Sequence, residues 1–311
     1  MAHALTHLGW RTWLTLAVFV LLGTFPLYLS GYWQGVLTFA FYLAVYAMAW
    51  DLLFGYSGEV NFGPTFLIGV GAYAAGLCNS LAGLPMWPSI AIGVVAAVIG
   101  GLLLAGPALR MRGPYFGLVT FVAVLILSEV IILSSKYTGG EIGMALPDIL
   151  TISNVGNYYW AFGLMVVTAV VLWGIVHSPL GLILQASGQD PVATEALGFS
   201  VTRFKIMAFV LSSVVSGLAG GMTIFYVGTA SPSAVVVLAV SVQVIIAALV
   251  GGRRTIIGSV LGGIFLLVAG ELLRPVGQLS NTFVAIIALV ILIVAPSGFI
   301  GLFYLGGRHR A

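Results

Sequence analysis

Charge is scarce in this 311-residue chain: Asp, Glu, Lys and Arg together make up 6% of it, where soluble domains carry about 25%. That shortage excludes a solvated globular surface, and a net charge of +3 is too small and too scattered to hold nucleic acid. There is one cysteine, Cys78, so an internal disulfide framework is excluded. The four histidines, His3, His7, His177 and His309, lie at span ends or termini without metal-ligand spacing, and no metal site is expected. Lysine occurs twice, as Lys136 and Lys205, and neither follows a glycine as a phosphate-binding P-loop requires. The chain therefore cannot hydrolyse ATP by itself, no catalytic residue is expected, and permeation, signalling and scaffolding remain open.

What is abundant is apolar sequence, 61% of the residues, in long runs that do not alternate as β-barrel strands would. The runs predict an all-α, polytopic integral membrane bundle of about ten transmembrane helices, near 12–30, 33–54, 64–82, 87–106, 114–135, 157–177, 206–228, 234–252, 255–273 and 280–303. The first run lacks a small-residue cleavage site ahead of a soluble domain and reads as a retained span. With the N-terminus in the cytoplasm, Arg11, Arg110, Arg112, Arg203, Lys205, Arg253, Arg254, Arg308 and Arg310 fall inside, against Lys136 and Arg274 outside. That bias supports both termini being cytoplasmic. A re-entrant segment at 55–64 would lower the span count.

The stretch GYSGEVNFGPTFLIGVGAYAAG, residues 55–76, puts poor helix material and a charge between apolar runs. It reads either as a deliberate break offering Glu59 and Asn61 to a polar side, or as a plain inside turn. Other polar residues also need an account, because charge at membrane depth usually marks a pathway or a pair. Asp51 can reach the interface from the inner end of span two. Glu129, in the outer half of span five, has water as its nearest option, and mid-span Gln243 needs a partner within the bundle. Glu271 and Arg274 are spaced for a local ion pair. Small residues recur at four-residue spacing, as in Gly217–Gly221, Gly258–Gly262 and Ala72–Gly76, which lets helix backbones approach closely.

Two connections are long. The outside one, 135–157, contains KYTGGEIGMALPD; the inside one, 178–205, contains SGQDPVATEALGFSVTRFK. In the latter, Asp190 suits an N-cap, Pro191 the first helical position and Gly198 the C-terminal stop, framing a two-turn helix over 191–197. A short capped helix on the inner side of such a protein is a docking knob for a cytoplasmic partner, or a loop that closes on itself.

The blocks LLFGYSGEVNFGPTFLIGVGAYAAG, MRGPYFGLVTFVAVLILSEV, TGGEIGMALP, SPLGLILQASGQDPVATEALGFSVTRFKIMAFVLSSVVSGLAGGM and LVGGRRTIIGSVLGGIFLLVAGELLR, in this order, resemble LivM-type permeases of branched-chain amino acid ABC importers over about residues 52–296. The resemblance implies a single transmembrane permease domain over 1–311, with 178–205 as a cytoplasmic coupling loop, in the cytoplasmic (inner) membrane of a bacterium or archaeon. It implies a second, homologous permease subunit, two ATP-binding cassette subunits carrying ATP and Mg, and an extracytoplasmic substrate-binding protein. The family's coupling helix maps onto Asp190, Pro191, Glu195, Ala196 and Gly198. Tyr56, Glu59, Asn61, Glu129 and Gln243 are the expected pathway residues, and Thr138, Glu141 and Asp148 the expected docking site for the binding protein. Departures from the family pattern bear on cargo: Phe62-Gly63-Pro64 stands where Leu-Gly-His is usual, Gln243 where a glutamate is common, and Arg253 and Arg254 add inner charge. Branched-chain or related amino acids are the expected cargo. An ion-gradient transporter using Glu59, Glu129 or Asp51 is the competing reading.

Overall fold

The computed structural model describes residues 18–108, 114–295 and 298–299. The start of the first expected span, Arg11, Arg110, Arg112, Arg308, Arg310 and both chain ends lie outside the described residues. Among the described residues the chain is helical nearly throughout. In order it forms α1 (Val18–Leu27), α2 (Gly31–Asp51), α3 (Pro64–Ser80), α4 (Met86–Ala108) and α5 (Pro114–Leu133). A turn, α6 (Ser135–Thr138), and strand β1 (Met144–Ala145) lead to α7 (Asn154–Val176), α8 (Pro179–Gln189), α9 (Pro191–Ala196) and α10 (Val201–Val227). Strand β2 (Thr229–Ala230), α11 (Pro232–Val235), α12 (Leu238–Gly251), α13 (Ile256–Leu272) and α14 (Ser280–Val294) complete it.

Proline opens α3, α8, α9 and α11, positions where its missing N–H costs nothing. Among the described residues, six helical stretches are long and apolar enough to cross a membrane, and three shorter apolar helices, Val18–Leu27, Ile256–Leu272 and Thr282–Val294, fall within other expected spans. These features define a polytopic helical membrane bundle. Its axis is α2, which packs against α7, α10, α12 and α13. In the apolar window of α2, 89% of residues are buried, against 28% in α5, so α2 is central and α5 peripheral.

Small residues set the closest crossings. A Cβ at Gly71 of α3 would meet the Gly217 Cα of α10, and one at Gly93 of α4 would meet the Gly71 carbonyl, so three helices cross backbone to backbone. Gly258 and Gly262 likewise bring α13 onto the Gly251 and Ala247 backbones of α12. Gly221, paired with Gly217 by spacing, makes only ordinary contact with Ile90.

Four boundaries differ from expectation. The inside connection holds a helix that was not expected, α8, because Leu184 and Ser187 bury against the bundle. α10 begins at Val201, not 206, so the free part of that connection is short. The eighth expected span is two pieces, α11 and α12, with Val236 outside helical geometry between them. The outside loop is partly structured: Met144 and Ala145 pair antiparallel with Ala230 and Thr229.

Candidate translocation and coupling site

The irregular segment after α2 is where the helices converge. α2 does not simply stop at Asp51 but widens into a π turn over Leu52–Tyr56, a feature that often sits at functional positions. Ser57 and Glu59 then donate their backbone N–H groups to Leu52 and Leu53. Gly58 takes a left-handed φ of 76° and lies on the Gly188 backbone of α8, where a Cβ at Gly58 would be 2.9 Å from the Gly188 backbone and one at Gly188 2.9 Å from the Tyr56 and Ser57 backbone. Gly63 packs so closely on α5 that a Cβ would collide with the Thr120 carbonyl.

The side chains of this segment are nearly all engaged. Trp50 Nε1 donates to Asn61 O at 2.6 Å, and Asn61 Oδ1 accepts from Gly63 N at 2.8 Å. Phe62 N donates to Thr120 Oγ1 of α5 at 3.0 Å. Thr65 Oγ1 and Ser241 Oγ of α12 share a hydrogen bond of 2.6 Å. Glu59 forms an ion pair with Lys205 at the start of α10. The irregular backbone is therefore buried in protein, the condition under which a membrane protein tolerates it.

Asp51 corrects an expectation. It does not reach the interface; it is fully buried, and its two carboxylate oxygens accept from Arg254 N and Thr255 N at 3.1 Å each. Those amides precede α13, so Asp51 caps that helix from another one. Gly55, one turn beyond Asp51, leaves room for the carboxylate, which a Cβ there would strike. Arg254 Nε donates to Gly55 O at 2.8 Å, and Tyr56 Oη donates to Arg254 O at 2.8 Å, closing the ring. Arg253 lies over the Phe54 ring, 4.6 Å from its centroid, and Phe54 stacks on Trp50.

Gln243 also departs from its reading. Among the described residues it has no hydrogen-bond partner, and it stands exposed on α12. Glu129 is exposed on α5 among Leu125, Ile126 and Val130, themselves exposed. The helices that carry them, α5 and α12, both pack on α3. Tyr56, Glu59 and Asn61 are buried instead.

The inner hairpin has the capping geometry its sequence suggests. Asp190 Oδ1 accepts from Ala193 N at 2.9 Å, Pro191 opens α9, and Gly198 takes φ 89° after its end. Thr194 is buried and ties back to Asp190 O at 2.8 Å. Glu195 and Ala196 are exposed, as are Val192, Leu197 and Phe199, so an apolar tip projects from the bundle.

At the other end, Thr138 and Asp148 tie the loop to α5 and α3. Thr138 Oγ1 donates to Ile131 O at 2.6 Å, and Asp148 Oδ2 accepts from Asn79 Nδ2 at 2.8 Å. Glu141 and its neighbour Ile142 are exposed. The paired groups Lys205, Thr120, Ser241 and the Arg254–Thr255 amides were not among the expected site residues. The Asp51/Gly55 spacing was the available signal, since residues four apart share a helix face.

These features define a polytopic helical membrane protein with a buried helix break and an exposed, capped hairpin. Residues 32–296 match the model of the branched-chain amino acid transport system permease component family, and the chain belongs to that family. It is a multi-pass protein of the inner membrane and a permease subunit of the ABC transporter type. It is 26% identical over 311 residues to the high-affinity branched-chain amino acid transport system permease protein LivM of Escherichia coli (strain K12), covering 91% of this chain and 73% of that protein. It is 25% identical over 279 residues to the guanosine ABC transporter permease protein NupQ of Bacillus subtilis (strain 168), covering 79% and 84%. The fructose import permease protein FrcC of Rhizobium meliloti is 26% identical over 221 residues, covering 66% of this chain and 59% of its own.

Proposed function

We propose that this chain is one half of the translocation pathway of an ATP-driven importer of branched-chain or related amino acids. The other half is a homologous permease subunit, two ATP-binding subunits supply ATP and Mg, and an extracytoplasmic binding protein delivers the cargo. The observation that carries the reading is α9, a capped helix whose exposed Val192 and Leu197 project beyond the bundle. Such a tip can seat in a groove of an ATP-binding subunit and carry its closure into α8 and α10. The connection runs on through Gly188 on Gly58 and Lys205 on Glu59. Coupling of this kind needs each partner to favour a different end state.

Glu129 and Gln243 support a pathway between subunits rather than through one chain. A carboxylate and an amide exposed among apolar side chains are costly against lipid and are accounted for by a wet path or a partner subunit. Tyr56, Glu59 and Asn61 hold the wall behind that path. Glu141, exposed on the outside loop, is the residue there best placed for the binding protein. Two observations disfavour an ion-gradient transporter: Lys205 holds Glu59, and two amides hold Asp51. Relatives that differ in named cargo leave the amino-acid reading to be tested by the ligand of the co-purifying binding protein. The decisive experiment is uptake into vesicles carrying the purified complex. Transport should require ATP and both ATP-binding subunits; uptake driven by a gradient in their absence would overturn the reading.

A further inference from the structure

A cavity of about 360 Å³ opens at the end of the bundle that carries the inner hairpin, between α7, α8 and the start of α13. Its polar wall is Arg254, His177 and Gln185. Arg254 uses Nε on Gly55 O, and among the described residues no carboxylate lies within ion-pair range of its guanidinium. His177 Nδ1 donates to Trp173 O at 2.8 Å, so Nε2 is the nitrogen it can offer to a ligand. Arg253, exposed on the adjoining turn, adds a second positive charge.

The other wall is apolar, formed by Val176, Leu182 and Ile257. Leu182 is exposed, and so are Val167, Val170 and Trp173 along the neighbouring face of α7. A tryptophan at the end of a membrane helix marks the headgroup level. Basic residues at that depth between helices fit acidic lipid headgroups.

We propose that this cavity is a binding site for an anionic phospholipid of the adjacent leaflet. The phosphate faces Arg254 and accepts from the Gln185 side-chain amide, a headgroup hydroxyl donates to His177 Nε2, and an acyl chain lies along α7. The apolar wall is the reason for assigning a lipid rather than a free anion. The proposal rests on the membrane placement of α7 and not on ATP coupling, so its failure and that of the transport reading are separable.

The test is native mass spectrometry of the full-length chain with its co-purifying subunits, loaded with phosphatidylglycerol or phosphatidylcholine of identical acyl chains. Phosphatidylglycerol should be retained preferentially. Arg254→Gln should lower that preference about fivefold, the contribution of one basic residue near an anionic surface. Because Arg254 also holds Gly55, His177→Ala and Gln185→Leu are measured alongside; both should reduce phosphatidylglycerol retention while the melting temperature stays unchanged. Equal retention of the two lipids, or a preference untouched in the two folded variants, would overturn the site. Displacement of phosphatidylglycerol by millimolar inorganic phosphate would overturn the lipid assignment.

Discussion

Glu59, in the irregular segment after α2, is paired with Lys205 in the first turns of α10, and the two side chains keep 11% and 19% of their exposure. The pair ties the break in the bundle to the helix that follows the inner hairpin. Glu59→Gln leaves Lys205 uncompensated and should cost about 2 kcal/mol, less than a fully buried pair because some solvent remains. Lys205→Met should cost a similar amount, and the exchange Glu59→Lys with Lys205→Glu should recover much of the loss. Thermal unfolding of the purified protein measures this, with ATP-driven uptake measured in parallel. Full uptake by Glu59→Gln would remove the pair from the coupling route.

Asp51 is fully buried and holds two backbone amides. Asp51→Ala should destabilise by roughly 2–4 kcal/mol, since both N–H groups lose their acceptor. Asp51→Asn keeps one acceptor and should lose about half as much. Gly55→Ala should be at least as harmful, because its methyl group occupies the space of the carboxylate. Denaturation of the three variants in one detergent ranks them; an Asn variant as damaged as Ala would argue against the capping role.

For α9, cap and tip can be separated. Asp190→Ala should cost the short helix about 1 kcal/mol. Gly198→Val forces a β-branched residue to φ 89°, a conformation that disfavours any L-residue by roughly 1–2 kcal/mol. Both variants, and Glu195→Ala, should lower uptake and transport-stimulated ATP hydrolysis while the complex stays assembled in the membrane. Unaltered coupling in Gly198→Val and Glu195→Ala would contradict the assignment.

Cys78 is the sole cysteine, so a Cys78→Ser background allows single cysteines to report on the two exposed polar positions. Glu129→Cys and Gln243→Cys should react with a membrane-impermeant maleimide in the assembled transporter, and cargo should slow the reaction. Val170→Cys, exposed on α7 away from both positions, provides the control outside the proposed path. Equal inertness at all three positions would mean that this face meets lipid.

Much of the architecture was legible in the order of residues, because a bilayer constrains sequence directly. Backbone groups in hydrocarbon must bond within their own helix, so runs of apolar residues announce the helices. Capping is equally local: Asp190, Pro191 and Gly198 bracket α9 through bonds that span three or four residues. The pairings of the site are not local. Glu59 with Lys205, Asp51 with the Arg254 and Thr255 amides, and Thr65 with Ser241 join residues far apart in the chain. Periodicity carries no information about which helices become neighbours; tertiary packing decides that, and in it Asp51 is buried and Gln243 stands exposed. GYSGEVNFGPTFLIGVGAYAAG could be seen to break a helix from its glycines and Pro64 alone. Only the packing of α5, α8, α10 and α12 around it gave its charge a partner and its backbone a dry place to bend.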